Sequence, residues 1–185
     1  MGICVTTMPA AGADLCNFEL HFGRIDAILY TRAEATDALT SAADAAEWAT
    51  RISNSAALAA SGTPAAIRYH YVTGGWPLPE LNEVEVSAGR TAYSDPKHTI
   101  TLAVDDTGAT NAALLATEQG VTKRRRVWLI ADGQLHGGNS GYLMDLTYTG
   151  RPIPEARTEK QTIQIILKYE GAQTAPITSV VPIFS

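Results

Sequence analysis

The stretch Thr99-Ile100-Thr101-Leu102-Ala103-Val104 alternates small or polar side chains with larger apolar ones. A period of two puts successive side chains on opposite faces of a β-strand, so one face should pack on a core while the other meets solvent. The same alternation returns at Glu83-Val84-Glu85-Val86-Ser87, at Tyr142–Tyr148 and at Thr162–Ile165. Repeated amphipathic strands of this kind predict a mainly β protein.

Three further segments are typical of strands: Phe18–Arg32, Ile67–Thr73 and Arg126–Ala131; the last alternating stretch extends over Gln161–Tyr169. In the first of them, Ile25, Ala27 and Leu29 are expected to share one face. The dipeptide Asp132-Gly133, directly after an apolar strand, is a strong signal for a tight hairpin turn. These segments bring the expected number of strands to seven or eight.

From Thr40 onward the apolar period changes to that of a helix. Ser41 followed by Asp44 resembles an N-terminal capping arrangement, and four apolar residues then fall on one predicted helical face. They are Ala45, Trp48, Ala49 and Ile52. The segment 111–119 is rich in good helix formers and predicts a second short helix.

The strands do not alternate regularly with helices, which favours an antiparallel β-sandwich or barrel over a parallel α/β sheet. The expected class is therefore mainly β (α+β), with about seven or eight strands and one or two flanking helices. A length of 185 residues suits one domain. We expect an arm at 1–17, a core at 18–170 and an apolar tail at 171–185.

The net charge is −5, from 14 Lys+Arg and 19 Asp+Glu, so no overall positive field attracts nucleic acid or an anionic membrane. No apolar run approaches the roughly 18 residues of a membrane span. The first residues also lack the basic and apolar regions of a secretory signal. We expect no specific nucleic-acid binding, no membrane insertion and synthesis in the cytoplasm.

One basic run, Lys123-Arg124-Arg125-Arg126, precedes an apolar strand. It is interpreted as a solvated strand entrance that guards against aggregation; a phosphate or partner site is the alternative. Two cysteines, Cys4 and Cys16, lie in the arm, where free thiols are expected and a disulfide is the alternative in an oxidising setting.

Residues that could carry chemistry do not form a recognisable set. Ser140, within Gly138–Gly141, sits in a glycine-rich stretch similar to those around some protease nucleophiles, but no base is placed beside it by motif. The available histidines are His21, His70, His98 and His136. We therefore expect a loop between strands and no catalytic residue.

The acidic residues are equally poor candidates for catalysis. Glu83 and Glu85 share one face of an alternating strand with Glu80 nearby, which is typical of a solvated or interfacial acidic surface. The segment 105–108 lacks the order of oxygen ligands in a calcium loop. Phosphate-binding and dinucleotide-binding motifs are absent from the sequence, so no metal and no cofactor is predicted.

Two apolar features point to an interface. Trp76 lies between glycines and Pro77, where an aromatic side chain is either a binding anchor or a lid folded over the core. The segment 174–184 is too apolar to leave in water and too rich in proline for a helix or central strand. Docking on a neighbouring subunit would bury Ile177, Val181, Ile183 and Phe184.

Several of these stretches together resemble tail-tube subunits of tailed bacteriophages and the related tubes of contractile injection systems. The resemblance rests on an ordered set of patterns over roughly half the chain: Glu83–Val86, Thr99–Leu102 with its following helix, Val127–Ile130 with the Asp132-Gly133 turn, and Ile163–Leu167. It implies a β-sandwich flanked by a helix.

The resemblance also implies a function. Such subunits form homo-oligomeric rings, hexameric in this family, which stack into a tube around a channel for DNA. The protein would then act in the virion, alongside other virion structural proteins, after synthesis in the host cytoplasm. The candidate interface residues are Trp76, Glu83, Glu85, Ile177, Val181, Ile183 and Phe184.

Other functions stay open at this stage. A tail-completion or capsid-decoration protein would have similar patterns. A carbohydrate-binding or adhesion module would use Trp76, Tyr93 or Tyr142 as a stacking platform. An enzyme would need a pocket that joins histidine to serine or carboxylates.

Overall fold

The computed structural model describes residues 24–54, 64–80, 96–104, 116–150 and 162–171, together with the backbone of 83–87 and 90–93. Within these ranges the protein is mainly β, as the alternating segments predicted. The strands are β1 (Ile25–Arg32), β2 (Arg68–Gly74), β3 (Glu83–Ser87), β4 (Arg90–Tyr93), β5 (Lys97–Val104), β6 (Thr122–Ala131), β7 (Gln134–His136), β8 (Tyr142–Gly150) and β9 (Ile163–Glu170).

Six strands close into an antiparallel barrel in the order β1-β2-β5-β9-β8-β6, with β6 returning to β1. Closure depends on β6, which is long enough to serve two neighbours. Its first part, Thr122–Val127, pairs with β8, and its second part, Arg125–Ala131, pairs with β1. Because the barrel is closed, these six strands leave almost no free edge for unwanted pairing.

The inside of the barrel is a continuous apolar core. Its buried members come from all six strands and include Ile28, Val72, Ile100, Met144 and Leu167. Along β5 the inward positions are the alternate ones, His98, Ile100, Leu102 and Val104. The period of two in the sequence therefore predicts the inward face of this strand correctly.

A second apolar cluster lies outside the barrel wall. It joins Ala27 and Leu29 of β1 and Trp128 of β6 to Trp48 and Leu39 from the helical segment. The expectation that Ile25, Ala27 and Leu29 share a face is wrong, because Ile25 belongs to the inner core. The register of β1 shifts between Ile25 and Ala27, and this irregularity moves the later residues to the opposite face.

Helix α1 (Ala45–Ser53) covers this outer cluster, after a 3₁₀ turn at Ala35–Asp37. Asp44 is its N-cap, since the Asp44 carboxylate accepts a hydrogen bond from the N–H of Ala46 at 2.9 Å. Ser41 is therefore not the cap. Trp48 and Arg51 are the buried residues of α1, whereas Ala45 and Ala49 are exposed. The predicted helix exists, but the face that it buries differs from the expected one.

The hairpin predicted at Asp132-Gly133 is present between β6 and β7. Both residues have positive φ, 48° and 70°. This is the conformation of a two-residue turn that matches the twist of its strands, and glycine adopts it without strain. The Gly137–Gly141 loop then leads into β8, also as expected.

Strands β3 and β4 form a separate two-stranded antiparallel sheet. The alternation in the sequence predicts β3 but not β4. The hairpin belongs to an insertion between β2 and β5. Hydrogen bonds between the backbones of Glu80 and Lys97, at 2.8 and 3.1 Å, close the base of this insertion.

Some predicted features lie outside the described residues. They are the arm with Cys4 and Cys16, the strand-like part before Arg24, the alanine-rich 55–61, the Asp105–Gly108 segment, most of the helix expected at 111–119, and the tail after Gly171. Residues 116–118 of the expected second helix are described and helical. No helix in the described ranges is long and apolar enough to cross a membrane.

Candidate functional site: the aromatic end of the barrel

Trp76 closes one end of the barrel. It is partly buried and packs against the inner core, in the loop that follows β2. Its indole N–H donates a hydrogen bond to Nδ1 of His98 at 2.8 Å. The two rings meet edge to face, with centroids 5.4 Å apart and planes at 89°. Of the two interpretations of Trp76, the geometry is that of the lid.

Two tyrosines complete the aromatic end. Tyr142 of β8 meets Trp76 edge to face at 5.2 Å, and Tyr169 of β9 stacks on His98 with centroids 6.0 Å apart and planes at 22°. Burial raises the pKa of the Tyr169 hydroxyl, and Tyr142 beside it adds to the shift. The four rings form a continuous plug, which we call the aromatic plug: Trp76, His98, Tyr142 and Tyr169.

The loop that carries Trp76 approaches the barrel wall closely. A Cβ atom at Gly74 would lie 2.5 Å from Cδ2 of Leu102 and 2.7 Å from the carbonyl oxygen of Thr101. Only glycine permits this approach. Next to it lies a shallow open depression on the outer wall, lined by Gly75, Trp76, Pro77, Thr99 and Thr101.

Leu78 belongs to this anchored loop and is exposed to solvent. Its side chain is 91% exposed, although Pro77 and Pro79 restrict the backbone on both sides. Trp76 and Glu80 hold the loop on either side of it. A large apolar side chain on a restrained backbone costs little conformational entropy when a partner covers it. The sequence did not single out Leu78, because a lone exposed leucine gives no periodic signal.

A second group of buried hydroxyls and a histidine lies further inside the barrel. Tyr30, His70 and Tyr148 form a triangle in which the Tyr148 hydroxyl donates to that of Tyr30 at 3.0 Å, and Nε2 of His70 is 3.1 to 3.3 Å from both. Burial raises the pKa of Tyr30 and that of Tyr148 well above their usual range. The three groups satisfy one another, as buried polar groups must.

The basic run at 123–126 lies in the first half of β6, where Lys123, Arg124 and Arg125 reach solvent, as expected of a strand entrance, whereas Arg126 does not. Lys123 pairs with Glu118 at 2.7 Å and Arg124 with Asp145 at 3.5 Å. Arg126 is buried, and it donates to the carbonyl oxygens of Glu34 and Ser140. Burial lowers the pKa of Arg126, and its Nε has no acceptor within the described ranges. The two hydrogen bonds of Arg126 connect β6 to the residue before the 3₁₀ turn and to the loop before β8, and so help to hold the outer helical layer, which is the 3₁₀ turn and α1, to the barrel.

Asp37 is the counter-charge for this layer. It is fully buried, receives two hydrogen bonds from Arg32 at 3.1 Å and a third from the N–H of Ala65. The hydrogen bond to Asp37 raises the pKa of Arg32. Arg51, also buried, donates to the carbonyl oxygens of Asp37 and Ala65. Burial lowers the pKa of Arg51, while Glu47 and Asp37 oppose that effect.

The loop around Ser140 clamps the same layer. The side-chain oxygen of Asn139 accepts from the N–H of Ala42 at 2.7 Å, and the Asn139 carbonyl accepts from Leu39 at 2.9 Å. The indole N–H of Trp128 donates to the carbonyl of Gly138 at 2.8 Å. Within the described residues, these contacts of the loop join the helical segment to β6, which agrees with a loop between strands.

The other candidate residues are distributed as follows. His136 is part of β7, and burial lowers its pKa. Glu83 and Glu85 belong to the backbone of β3, and Tyr93 to that of β4, with their side chains outside the described atoms. His21, Ile177, Val181, Ile183 and Phe184 lie outside the described residues. Within the described part of the chain, no three His, Cys, Asp or Glu side chains come together as a metal site.

Comparisons with protein-family models, with curated proteins and with solved structures found no match to this chain.

Proposed function

We propose that this protein is a structural subunit of a bacteriophage virion, a tail-tube protein that assembles into stacked rings around a channel for DNA. The first support is the nature of the barrel. Its interior is packed with apolar and aromatic side chains, and the aromatic plug closes one end. A filled barrel of this kind suits a building block better than a container for a small substrate.

The observation that carries the proposal is the β3–β4 hairpin. It forms a sheet of its own, and within the described residues neither of its outer edges pairs with another strand. A two-stranded sheet is marginally stable alone in water, and its free edges present unpaired backbone groups. A neighbouring subunit that covers or extends this sheet would satisfy both requirements.

Leu78 supports an interface in the same region. It belongs to the insertion that carries the hairpin, and it is nearly fully exposed on a proline-restrained loop. In this arrangement Trp76 anchors the loop to the barrel, and Leu78 is the exposed residue that contacts the neighbouring subunit. The proposed interface is therefore centred on Leu78 and the hairpin, with Trp76 behind them.

The charge of the chain also suits a DNA channel. The net charge is −5, and β3 alternates Glu83 and Glu85 with valines. A basic lumen would bind the phosphates of DNA and slow its passage, whereas an acidic lumen repels them. The apolar tail, with Ile177, Val181, Ile183 and Phe184, would add buried area between subunits.

The glycan-binding alternative has less support. Tyr142 is 2% exposed, so its face is not available for stacking on a sugar. The indole N–H of Trp76 is bound to His98, and its ring packs on the core. An exposed aromatic platform would need at least one of these rings to face solvent.

Mass photometry of the purified chain tests the proposal. We expect a discrete oligomer at a multiple of the 19.7 kDa chain mass, which grows into longer particles as concentration rises. The variant Leu78→Asp places a charge in the proposed contact without touching the core, and it should reduce assembly while circular dichroism stays unchanged. A wild-type protein that stays monomeric at all concentrations would contradict the proposal.

A further inference from the structure

We propose that Trp76 and His98 form a proton-operated latch, which fixes the insertion between β2 and β5 to the end of the barrel and releases it when His98 is protonated. The inference concerns the isolated chain and does not depend on the proposed function.

The direction of the hydrogen bond carries the argument. An indole N–H can only donate, so Nδ1 of His98, 2.8 Å away, must accept. An imidazole nitrogen accepts only when it carries no proton. This hydrogen bond therefore requires a neutral His98 with its proton on Nε2. A protonated histidine has two N–H donors and no acceptor, so it would place two N–H groups against each other.

The surroundings of His98, among the described residues, offer no ionic compensation for a positive charge that faces the indole N–H of Trp76. The side chain is 3% exposed, and in the described part of the chain no ion pair includes it. Lys97, next to His98 on β5, pairs with Glu170 of β9 at 3.3 Å, so the charges adjacent to His98 in the register of these two strands are matched. Glu80 is exposed at the base of the loop. The remaining titratable neighbours, Tyr142 and Tyr169, are phenols.

The fold determines which partner moves. His98 lies within β5, where it pairs with Tyr169 of β9, and the stacked Tyr169 ring can hold an imidazolium against its face. Trp76 lies in a loop without regular structure. Protonation should therefore leave the strand in place and expel Trp76, opening the plug.

Release of Trp76 frees more than one side chain. The chain leaves the barrel at Trp76, passes through the β3–β4 hairpin and returns at Lys97. Within the described residues, the insertion is fastened by the Trp76–His98 bond and by the backbone pair between Glu80 and Lys97. When the Trp76–His98 bond is lost, only the backbone pair between Glu80 and Lys97 remains to orient the hairpin and Leu78.

The chain contains its own controls for a test by nuclear magnetic resonance. It has three tryptophans, and each indole N–H is hydrogen bonded: Trp48 to the carbonyl of Ala42, Trp128 to the carbonyl of Gly138, and Trp76 to His98. Backbone carbonyls do not take up protons in the range over which histidines titrate. Of the three indole signals, only that of Trp76 should therefore follow the protonation of His98.

The experiment records indole and imidazole signals of the labelled full chain from about pH 8 to about pH 4, the range that brackets ordinary histidine titration. At the alkaline end, His98 should carry its proton on Nε2. On acidification the Trp76 indole proton should move upfield in step with His98. In His98→Asn, whose side-chain oxygen can accept the same bond but does not titrate, the Trp76 signal should stay fixed.

Three results would overturn the latch. One is a proton on Nδ1 of His98 at the alkaline end. The second is a Trp76 signal that ignores the titration of His98, or that moves in His98→Asn as it does in the wild type. The third is movement of all three indole signals together, since His98 would then be protonated only on unfolding. If His98→Asn does not fold, the tautomer of His98 in the wild type and the comparison of its three indole signals still test the latch.

Discussion

Arg32 donates one hydrogen bond to each carboxylate oxygen of Asp37, both at 3.1 Å, in a position where Asp37 has no contact with solvent. The pair joins the end of β1 to the 3₁₀ turn. Asp37 also lies within electrostatic range of Arg51 and Arg126. A single buried carboxylate thus compensates several cations beneath the helical layer.

Asp37→Asn should destabilise the protein by about 3–5 kcal/mol, because it removes the buried partner of Arg32 and the acidic group that acts on the buried Arg126. Urea unfolding followed by tryptophan fluorescence measures the loss. Asp26→Asn is the matched control, since Asp26 pairs with Arg24 at the surface. We expect the control to change stability by no more than about 0.5 kcal/mol. Equal losses in the two variants would show that Asp37 is not the counter-charge.

Asn139→Ala should cost about 1 kcal/mol, because the part-buried N–H of Ala42 loses its acceptor. Ser140→Ala should be nearly neutral, since residue 140 is exposed and acts through its backbone carbonyl. Thermal unfolding of both variants checks the difference. A larger loss for Ser140→Ala than for Asn139→Ala would mean that the side chain of Ser140, and not the amide of Asn139, holds this loop in place.

Stability should fall above about pH 10, the usual pKa of an unfolded tyrosine. Burial raises the pKa of Tyr30 and Tyr148 in the folded state, so there both stay protonated after their unfolded counterparts have ionised. Their contribution is complete below the unfolded pKa and is lost as the pH rises above it. The slope should be about 1.4 kcal/mol per pH unit for each tyrosine.

Tyr148→Phe removes one of these two groups and should flatten the alkaline slope of the urea midpoint. Tyr71→Phe, on the exposed side of β2, is the matched control and should leave the slope as it is in the wild type. A slope that both variants change equally would mean that the buried pair does not govern alkaline unfolding.

Deletion of residues 174–185 should leave a folded but less assembled protein, because β9, the last described strand, ends at Glu170. Burial of even two of the four apolar tail residues would contribute on the order of 3–5 kcal/mol per subunit before ordering costs. Sedimentation velocity and circular dichroism compare the two chains at matched concentration. Unchanged assembly removes the tail from the interface, and a failure to fold places it in its own subunit's core.

Much of the barrel could be predicted from the sequence. Strands buried on one face, such as β5 and β8, can be recognised in the sequence because buried and more exposed residues alternate along them. Strand β1 does not, because α1 covers its outer face and Ile28, Leu29 and Tyr30 are all buried. Closure of the barrel could not be predicted from the sequence either. It depends on β1 pairing with β6, about a hundred residues later, and no local pattern specifies such a partner.

The site was predictable only in part. His98 shares a strand face with Ile100 and Leu102, so its inward direction follows from the alternation. Its bond to Trp76 does not, since the path of a loop with glycines and prolines has no period. The burial of Arg51 was equally hidden, because its acceptors are backbone carbonyls of Asp37 and Ala65. A charged residue at a helical position gives no sign that such acceptors exist.

Negative-stain electron microscopy of the purified full-length chain tests the central proposal most directly. A tail-tube subunit should give class averages of closed rings with a central opening, and side views in which rings stack into tubes. Closed rings that never stack would favour a decoration or completion protein over a tube. Particles no larger than the single chain, at concentrations where ring subunits assemble, would contradict an assembling virion subunit altogether.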